Sequence, residues 1–176
     1  MIKSTNAPTV KRQSPLFLFH TIWHVPMLSL YMGVVVLHMA EHFLQMYQVV
    51  VLGWPRPTAG GLLGIWAPQL AMAELLHFGY NLFQLVGLLA LRGGFEGRSL
   101  KFWTIACFLQ TWHFFEHFLL QAQWITKVYL YNGPKPMSVL ELFLPRIELH
   151  FIYNLMVAIP TLIAVFIYVS QRKKQG

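Results

Sequence analysis

The sequence predicts an all-α membrane protein, a four-transmembrane-helix bundle built from two parallel repeats of a helical hairpin. Three observations support this prediction: an apolar composition, four long apolar segments and short motifs that occur twice. Hydrophobic residues make up 56% of the 176 residues and charged residues 11%, and the mean hydropathy is +0.52. Since soluble domains carry about 25% charged residues, this composition favours a membrane protein and argues against disorder.

Four apolar segments have the length of a membrane-crossing helix. Each is close to the roughly 20 residues that cross a hydrocarbon core. Backbone groups in lipid must bond within their own segment, which requires helices. Residues 16–25 are apolar but too short for another span, and the first 14 residues lack the pattern of a cleavable signal. The predicted spans cover residues 26–52, 69–91, 100–125 and 147–168.

Basic residues are distributed unevenly between the segments that join these spans. The net charge is +7, but no basic stripe with interleaved aromatic residues occurs, which excludes nucleic-acid binding. Nine Lys and Arg residues lie in the two termini and the middle loop, and four lie in the other two loops. The positive-inside rule then predicts cytoplasmic termini and places the two Pro-rich loops outside.

The resulting organisation has four parts. A cytoplasmic tail with an interfacial segment is followed by the first hairpin repeat, the second hairpin repeat and a basic cytoplasmic tail. In that order the parts cover residues 1–25, 26–92, 93–170 and 171–176.

Three motifs occur twice in the same order, with offsets of 75, 79 and 73 residues. Each copy contains two spans, so both copies insert with the same polarity. The pseudo-two-fold axis is therefore predicted along the membrane normal. The motif His-x-x-Glu-His begins at His38 and His113, Pro-x-Pro at Pro55 and Pro134, and His-x-x-Tyr-Asn-Leu at His77 and His150.

Histidine and glutamate side chains recur at helical spacing within the predicted spans. Residues three and four apart share one helix face, and a rise of 1.5 Å per residue brings the motifs to one layer. Charged groups inside a membrane cost about 2.5–3.5 kcal/mol each on insertion scales, and such residues usually mark function. A metal site is therefore predicted in the outer half of the bilayer. The predicted ligands are His38, Glu41, His42, His77, His113, Glu116, His117 and His150.

The predicted ligand set favours two transition-metal ions. Imidazole suits iron, zinc and copper better than magnesium or calcium, and the two carboxylates favour iron among these three. Haem, held by axial histidines from facing helices, is the alternative cofactor. Polar neighbours are expected to fix the orientation of the imidazoles. These neighbours are Tyr80, Asn81, Tyr153, Asn154 and Gln45.

The His-x-x-Glu-His segment resembles the inverted zinc motif of the inverzincin peptidases, where two histidines bind zinc and a glutamate is the general base. The resemblance covers five residues of each copy and implies only this local chemistry, since those peptidases are large soluble proteins. The architecture is analogous to that of ferritin-like di-metal bundles, which use Glu-x-x-His instead.

The two repeats differ close to the predicted site. Glu74 lies one turn before His77, whereas Arg146 lies one turn before His150. This difference predicts either one catalytic half or an ion pair between Glu74 and Arg146, with a snorkelling Arg146 as the alternative. Glu148 is expected to pair with Arg146 or to face another chain.

Three further side chains lie outside the repeated motifs. His20 and His24 are four residues apart near the predicted cytoplasmic surface, where an interfacial role is favoured over a second metal site. Cys107 is the single cysteine and lies in an apolar segment, which excludes disulfides and a cysteine-based zinc site.

These predictions favour a metal-dependent oxidoreductase that acts on a lipid-soluble substrate, with Glu41, Glu116 and Glu74 as candidate catalytic residues. Glu41 and Glu116 are ligands in the oxidative version, and in a hydrolytic version one of these two is the general base. A small non-enzymatic subunit of a respiratory or photosynthetic complex, with His-ligated haem or pigment, is the first alternative. A zinc-dependent intramembrane hydrolase or a metal carrier is the second. The expected partners are the lipid bilayer, a lipid-soluble small molecule or other membrane subunits, and an oligomer is left open.

Overall fold

The computed structural model describes residues 22–71 and 73–174. It is 83% helical, and its described residues contain no strand, which confirms the all-α prediction. Residues 1–21, which hold most of the predicted N-terminal tail and His20, lie outside the described residues, as do residues 72 and 175–176. The α-helices are α1 (His24–Val50), α2 (Gly61–Trp66), α3 (Pro68–Ala71), α4 (Glu74–Leu91), α5 (Gly97–Thr126) and α6 (Arg146–Arg172). Short 3-10 turns cover Arg56–Thr58, Arg92–Gly94, Leu130–Asn132 and Leu140–Leu142.

Among the described residues, three helical segments are long and apolar enough to cross a membrane: His24–Val50, Glu74–Gly94 and Arg146–Arg172. They fit an integral membrane protein. Helix α5 has 30 residues, which is ample for a span, but it is less apolar than the other long helices. The polar side chains that lower its hydropathy lie on its buried face and include Gln110, His113, Glu116, His117 and Gln123.

The second predicted span begins later than expected. Helix α4 begins at Glu74 rather than at residue 69, because Ala73 has an extended backbone with φ −75° and ψ 120°. Pro68 begins the separate short helix α3, at the first helical position that proline favours. The chain between α1 and α4 therefore forms two short helices at the end of the hairpin instead of continuing the span.

The four long helices contact one another in a ring. Helix α1 contacts α4 and α6, and α5 contacts the same two helices. Their apolar core includes Tyr31, Leu88, Trp103 and Val157, all of them buried. The indole N–H of Trp103 donates a hydrogen bond of 2.7 Å to the carbonyl of Leu88, so the largest core side chain leaves no unpaired donor.

The outer surface of the long helices is apolar and the centre is polar. Leu37 is 71% exposed, Phe108 77% and Phe166 73%. Exposed apolar surface on this scale is rare in water-soluble monomers and is expected where helices face lipid. Polar side chains are buried in the interior instead, and they include His42, Gln84, Gln110, His113 and Asn154. The polar side chains that could bind a ligand or take part in a reaction therefore lie inside the helix ring.

Candidate functional site

The six histidines of the repeated motifs form one cluster between the long helices. Neighbouring rings have centroids 4.5 to 6.2 Å apart. His150 is the centre of the cluster, since its ring is next to those of four other histidines. Helices α1, α4, α5 and α6 each contribute to it. The members of this histidine cluster are His38, His42, His77, His113, His117 and His150.

The two histidines of each His-x-x-Glu-His motif are in direct contact. Nε2 of His38 lies 2.9 Å from Nε2 of His42, and Nε2 of His113 lies 3.1 Å from Nε2 of His117. Their spacing of four residues puts both rings on one face of the helix. Each pair therefore directs two ring nitrogens to the same point.

Hydrogen bonds fix the tautomers of His42 and His77. Nδ1 of His77 lies 2.9 Å from the carbonyl of Ala73, and a carbonyl only accepts, so Nδ1 carries the proton. Nδ1 of His42 lies 2.9 Å from Oε1 of Gln45, which likewise makes Nδ1 the donor. Both imidazoles therefore present an unprotonated Nε2 to the cluster, the form in which histidine binds a metal ion.

The pair on α5 is held differently. Nδ1 of His113 and Nδ1 of His117 are buried and have no hydrogen-bond partner among the described residues. Buried polar atoms are nearly always paired, and an unpaired one costs about 1–3 kcal/mol. The pair on α5 therefore has two buried ring nitrogens that lack a hydrogen-bond partner among the described residues.

The predicted orienting residues contact the cluster. Tyr80 stacks on His38 with ring centroids 3.4 Å apart, and Tyr153 stacks on His113 at 4.9 Å. Asn154 lies 3.1 Å from Nε2 of His42 and also donates to the carbonyl of His150. Asn81 makes the matching bond to the carbonyl of its own histidine, four residues earlier. Equivalent residues of the two repeats thus make similar contacts.

The two motif glutamates bind loop backbone, and Glu41 also lines the smaller cavity beside His38, His42 and His77. Glu41 accepts hydrogen bonds from the amides of Leu62 and Leu63, at 2.7 and 3.0 Å. Glu116 accepts one from the amide of Val139 at 2.8 Å and one from the hydroxyl of Tyr153 at 3.3 Å. Both glutamates therefore contact the loop of their own hairpin, and their role as metal ligands stays a prediction.

Two glutamines that were not predicted from the sequence also form hydrogen bonds with the loop backbone. The Gln48 side chain donates to the carbonyl of Gly61 and accepts from its amide. Gln123 donates to the carbonyl of Met137 and accepts from the amides of Met137 and Leu130. Gln48 and Gln123 are separated by 75 residues, the offset that relates His42 to His117. Extending the repeat by two helical turns would have found them.

The asymmetric charged residues form an ion pair, one of the two arrangements that the sequence predicts. The guanidinium of Arg146 donates to both oxygens of Glu74, at 2.5 and 2.6 Å. Glu148 pairs with Arg56 rather than with Arg146, so that expectation was wrong. The hydrogen bond and the charge of Glu148 raise the pKa of Arg56. The carboxylate of Glu74 is therefore engaged by a cation and is not placed as a free base.

Two cavities reach the histidine cluster. The larger has a volume of about 470 Å³ and is lined by His77, His150 and several charged loop residues, including Arg56, Lys135 and Arg146. The smaller, about 210 Å³, is lined by His38, Glu41, His42 and His77 together with apolar side chains such as Leu63 and Leu76. The two cavities share His77 in their lining, so both lie next to the histidine cluster.

His24 belongs to a separate environment. Its side chain is buried, with Nδ1 3.1 Å from the hydroxyl of Tyr168 and Nε2 3.0 Å from the carbonyl of Leu91. These contacts join the start of α1 to the ends of α4 and α6. Cys107 is buried and free.

The histidine cluster does not form a complete metal site in this arrangement. Within residues 22–71 and 73–174, no group of three or more His, Cys, Asp or Glu side chains has the geometry to hold a metal ion. The paired imidazoles instead lie within hydrogen-bond distance of each other, and the ring of His150 packs edge to face against that of His117. The predicted metal centre therefore stays a prediction, and its ligands have to turn to form it.

The chain was compared with known proteins at three levels. No family model, no curated protein and no solved structure matches it. What the protein does must therefore be inferred from the chemistry of its own side chains.

Proposed function

We propose that this protein is a membrane-embedded metalloprotein that binds a transition metal through the histidine cluster and oxidises a lipid-soluble substrate. In this proposal α5 is a fourth span, and the two hairpins are parallel repeats around an axis normal to the membrane. Both termini are cytoplasmic, and the two Pro-rich loops face outside. The contacts between the long helices support the two-fold repeat. If α1 is exchanged with α5 and α4 with α6, the same set of helix–helix contacts is obtained.

The observation that carries the proposal is the pair of touching imidazoles on each of α1 and α5. Two nitrogen ligands at about 2.0–2.1 Å from a tetrahedral ion lie roughly 3.3 Å apart. The Nε2 atoms are separated by 2.9 Å in one pair and 3.1 Å in the other. Each pair can therefore bind one ion after a small rotation of the two side chains. A further imidazole is available on each of the neighbouring helices, from His77 on α4 and His150 on α6.

The donor set favours copper or zinc over iron. Non-haem iron in oxygenases is typically bound by two histidines and a carboxylate. Here the carboxylates of Glu41 and Glu116 accept hydrogen bonds from backbone amides, so the proposal takes the imidazole nitrogens as the main donors. Because zinc has no redox chemistry, an oxidative function requires copper, and zinc fits the alternative hydrolase or carrier.

Haem and pigments fit the cluster less well. A haem with two axial histidines needs a porphyrin-sized gap between the rings. The imidazoles of this cluster are instead in contact, with some centroids under 5 Å apart. Binding a macrocycle would require the helices to separate, whereas binding an ion requires only side-chain rotation.

The test is the metal content of the protein purified in detergent after growth with copper, zinc and iron. The proposal expects one or two ions per chain, with copper giving an electron paramagnetic resonance signal with nitrogen hyperfine structure. A variant with His42→Gln and His117→Gln should lose at least nine tenths of the metal, because each substitution removes one member of a pair.

His24→Gln provides the matched control, since it removes a buried histidine outside the cluster. It should keep the wild-type metal content. Wild-type protein that binds no ion under any of these conditions, or a double variant with undiminished content, would refute the proposal. A Soret band in the purified protein would support the haem alternative instead.

A further inference from the structure

A cavity separate from the histidine cluster lies at the end of the bundle where α1 begins and α6 ends. It has a volume of about 630 Å³ and lies between these two helices. Most of its lining is apolar, and the polar side chains that border it are Ser29, Tyr168, Arg172 and Lys173. We call it the terminal groove, since it lies next to the first and last described residues of the chain.

The terminal groove has the depth of one membrane leaflet. Its lining extends from Ile22 to Met32 along α1 and from Val165 to Lys173 along α6. At a rise of 1.5 Å per residue the longer stretch covers about 15 Å, which is half of the roughly 30 Å of hydrocarbon in a bilayer. A chain that follows the groove from the end of α6 therefore reaches the middle of a membrane.

The polar end of the groove is positively charged. Arg172 and Lys173 lie there at the end of α6, and both are exposed. The protein has six acidic residues, all of them Glu, and none of these six lines the groove. The ion pairs of the described residues also leave Arg172 and Lys173 without a carboxylate partner. The positive charge at this end of the groove is therefore not neutralised by the described part of the protein.

A chain of hydrogen bonds fixes the wall of the groove beside Arg172. Nε2 of His24 lies 3.0 Å from the carbonyl of Leu91, which only accepts, and Nδ1 of His24 lies 3.1 Å from the hydroxyl of Tyr168. That hydroxyl accepts a hydrogen bond of 2.9 Å from Nη1 of Arg172. The bond uses one of the five N–H donors of the guanidinium, so an oriented cation with further donors borders the groove.

We propose that the terminal groove binds an anionic phospholipid, with an acyl chain along the apolar lining and the headgroup phosphate on Arg172 and Lys173. Basic pockets between membrane-spanning helices bind anionic headgroups, and a guanidinium can bind a phosphate at two points. A zwitterionic lipid binds more weakly, because the two cations repel its ammonium group. The bound lipid joins the beginning of α1 to the end of α6. This inference does not depend on metal binding by the histidine cluster.

The test is native mass spectrometry of the protein in detergent with equal amounts of dioleoyl phosphatidylglycerol and dioleoyl phosphatidylcholine. The wild-type protein should retain one phosphatidylglycerol, with a preference of at least tenfold over phosphatidylcholine. Each basic side chain near an anionic headgroup strengthens binding roughly fivefold. The variant with Arg172→Gln and Lys173→Gln should therefore lose at least nine tenths of the bound phosphatidylglycerol.

The matched control is the variant with Arg98→Gln and Lys101→Gln, which should keep the wild-type preference. These two exposed cations begin α5 at the same end of the bundle, since Phe95, two residues before α5, packs against Tyr168. They do not line the groove. The control therefore removes the same charge from the same end of the protein without changing the proposed site.

A groove-filling variant separates binding in the groove from general attraction by positive charge. Ser29→Phe keeps both cations and adds a large side chain at an exposed position of the lining, so it should reduce retention of phosphatidylglycerol at least fivefold. Its thermal unfolding in detergent should match that of the wild type.

Four results would overturn the proposal. One is equal retention of the two lipids by the wild-type protein, and another is unchanged retention in Ser29→Phe. A dimer in the mass spectrum that Ser29→Phe dissociates would assign the groove to a second copy of the chain. A crosslink from Ser29→Cys to Lys11, formed by a maleimide–succinimide reagent, would assign it to the N-terminal residues.

Discussion

The carboxylates of Glu41 and Glu116 act on backbone that follows them by more than twenty residues. Each accepts a hydrogen bond of 2.7 or 2.8 Å from a loop amide. Hydrogen bonds to a charged acceptor are about twice as strong as neutral ones. These glutamates therefore determine how firmly α2 and the second loop cover the histidine cluster.

The variant Glu41→Ala distinguishes between two roles of Glu41, holding the loop by hydrogen bonds and binding a metal ion. The variant loses two charge-assisted hydrogen bonds, each worth about 1.5–3 kcal/mol. Because the bond from Leu62 is exposed to solvent, the unfolding free energy should fall by about 2–4 kcal/mol rather than by the full sum. Amide hydrogen exchange in Gly61–Trp66 should become at least tenfold faster. Metal content should be unchanged.

Glu116→Ala is the matched control in the second hairpin. It should accelerate exchange in the loop around Val139 and leave Gly61–Trp66 protected. Loss of metal from either variant, with unchanged exchange rates, would mean that the carboxylate is a ligand after all.

At the scale of elements, an ion pair joins the N-terminal end of α4 to the N-terminal end of α6 across the helix ring. Glu74 and Arg146 form a two-point ion pair, and their side chains are 9% and 30% exposed. Helices α4 and α6 are opposite each other in the ring of contacts. This pair therefore fixes the separation of two helices that carry His77 and His150 one turn further along.

Arg146→Gln alone should lower the free energy of unfolding more than the double substitution of Arg146→Gln and Glu74→Gln does. Removing one partner of a buried pair costs about 3–5 kcal/mol because the other charge stays uncompensated. The partial exposure of Arg146 reduces this to about 2–3 kcal/mol. The double variant with Glu74→Gln should recover at least half of the loss in a double-mutant cycle of thermal unfolding in detergent. Strictly additive effects would show that the two side chains do not interact.

The helices and the convergence of the histidines could be predicted because both follow from periodicity. Apolar runs determine where a helix can lie in lipid, and a spacing of four residues determines which side chains meet. The break at Ala73 could not be predicted, since residues 69–73 are as apolar as the span that follows. The partners of Glu41 depend on how the chain folds back over α1, which no local pattern encodes.

At the scale of the whole molecule, polarity is reversed relative to a soluble protein. The faces that point outward carry Leu, Phe and Val, and the interior carries imidazoles and amides. Lipid provides no hydrogen bonds, so the interior polar groups have to bond to one another. Such a network keeps the helices in a fixed arrangement around the cluster, and it explains why six of the ten buried side chains of α5 are polar.

The proposed membrane topology, with both termini in the cytoplasm, can be tested with single cysteines. Native Cys107 is buried, so the unchanged protein should not react with a membrane-impermeant maleimide in intact cells. Thr58→Cys and Lys135→Cys lie in the two Pro-rich loops at exposed positions, and both should be labelled from outside. Arg98→Cys, at the beginning of α5, should be labelled only after permeabilisation.

The Lys135 position decides whether α5 crosses the membrane. If only the three most apolar helices were spans, residue 135 would lie on the same side as residue 98, and both would be labelled only after permeabilisation. Labelling of Lys135→Cys from outside therefore requires a span between these positions, and α5 is the helix that connects them. That result would also put the histidines of α5 within the bilayer, where burying unpaired polar groups is most costly. Bound metal ions would then offset part of this cost.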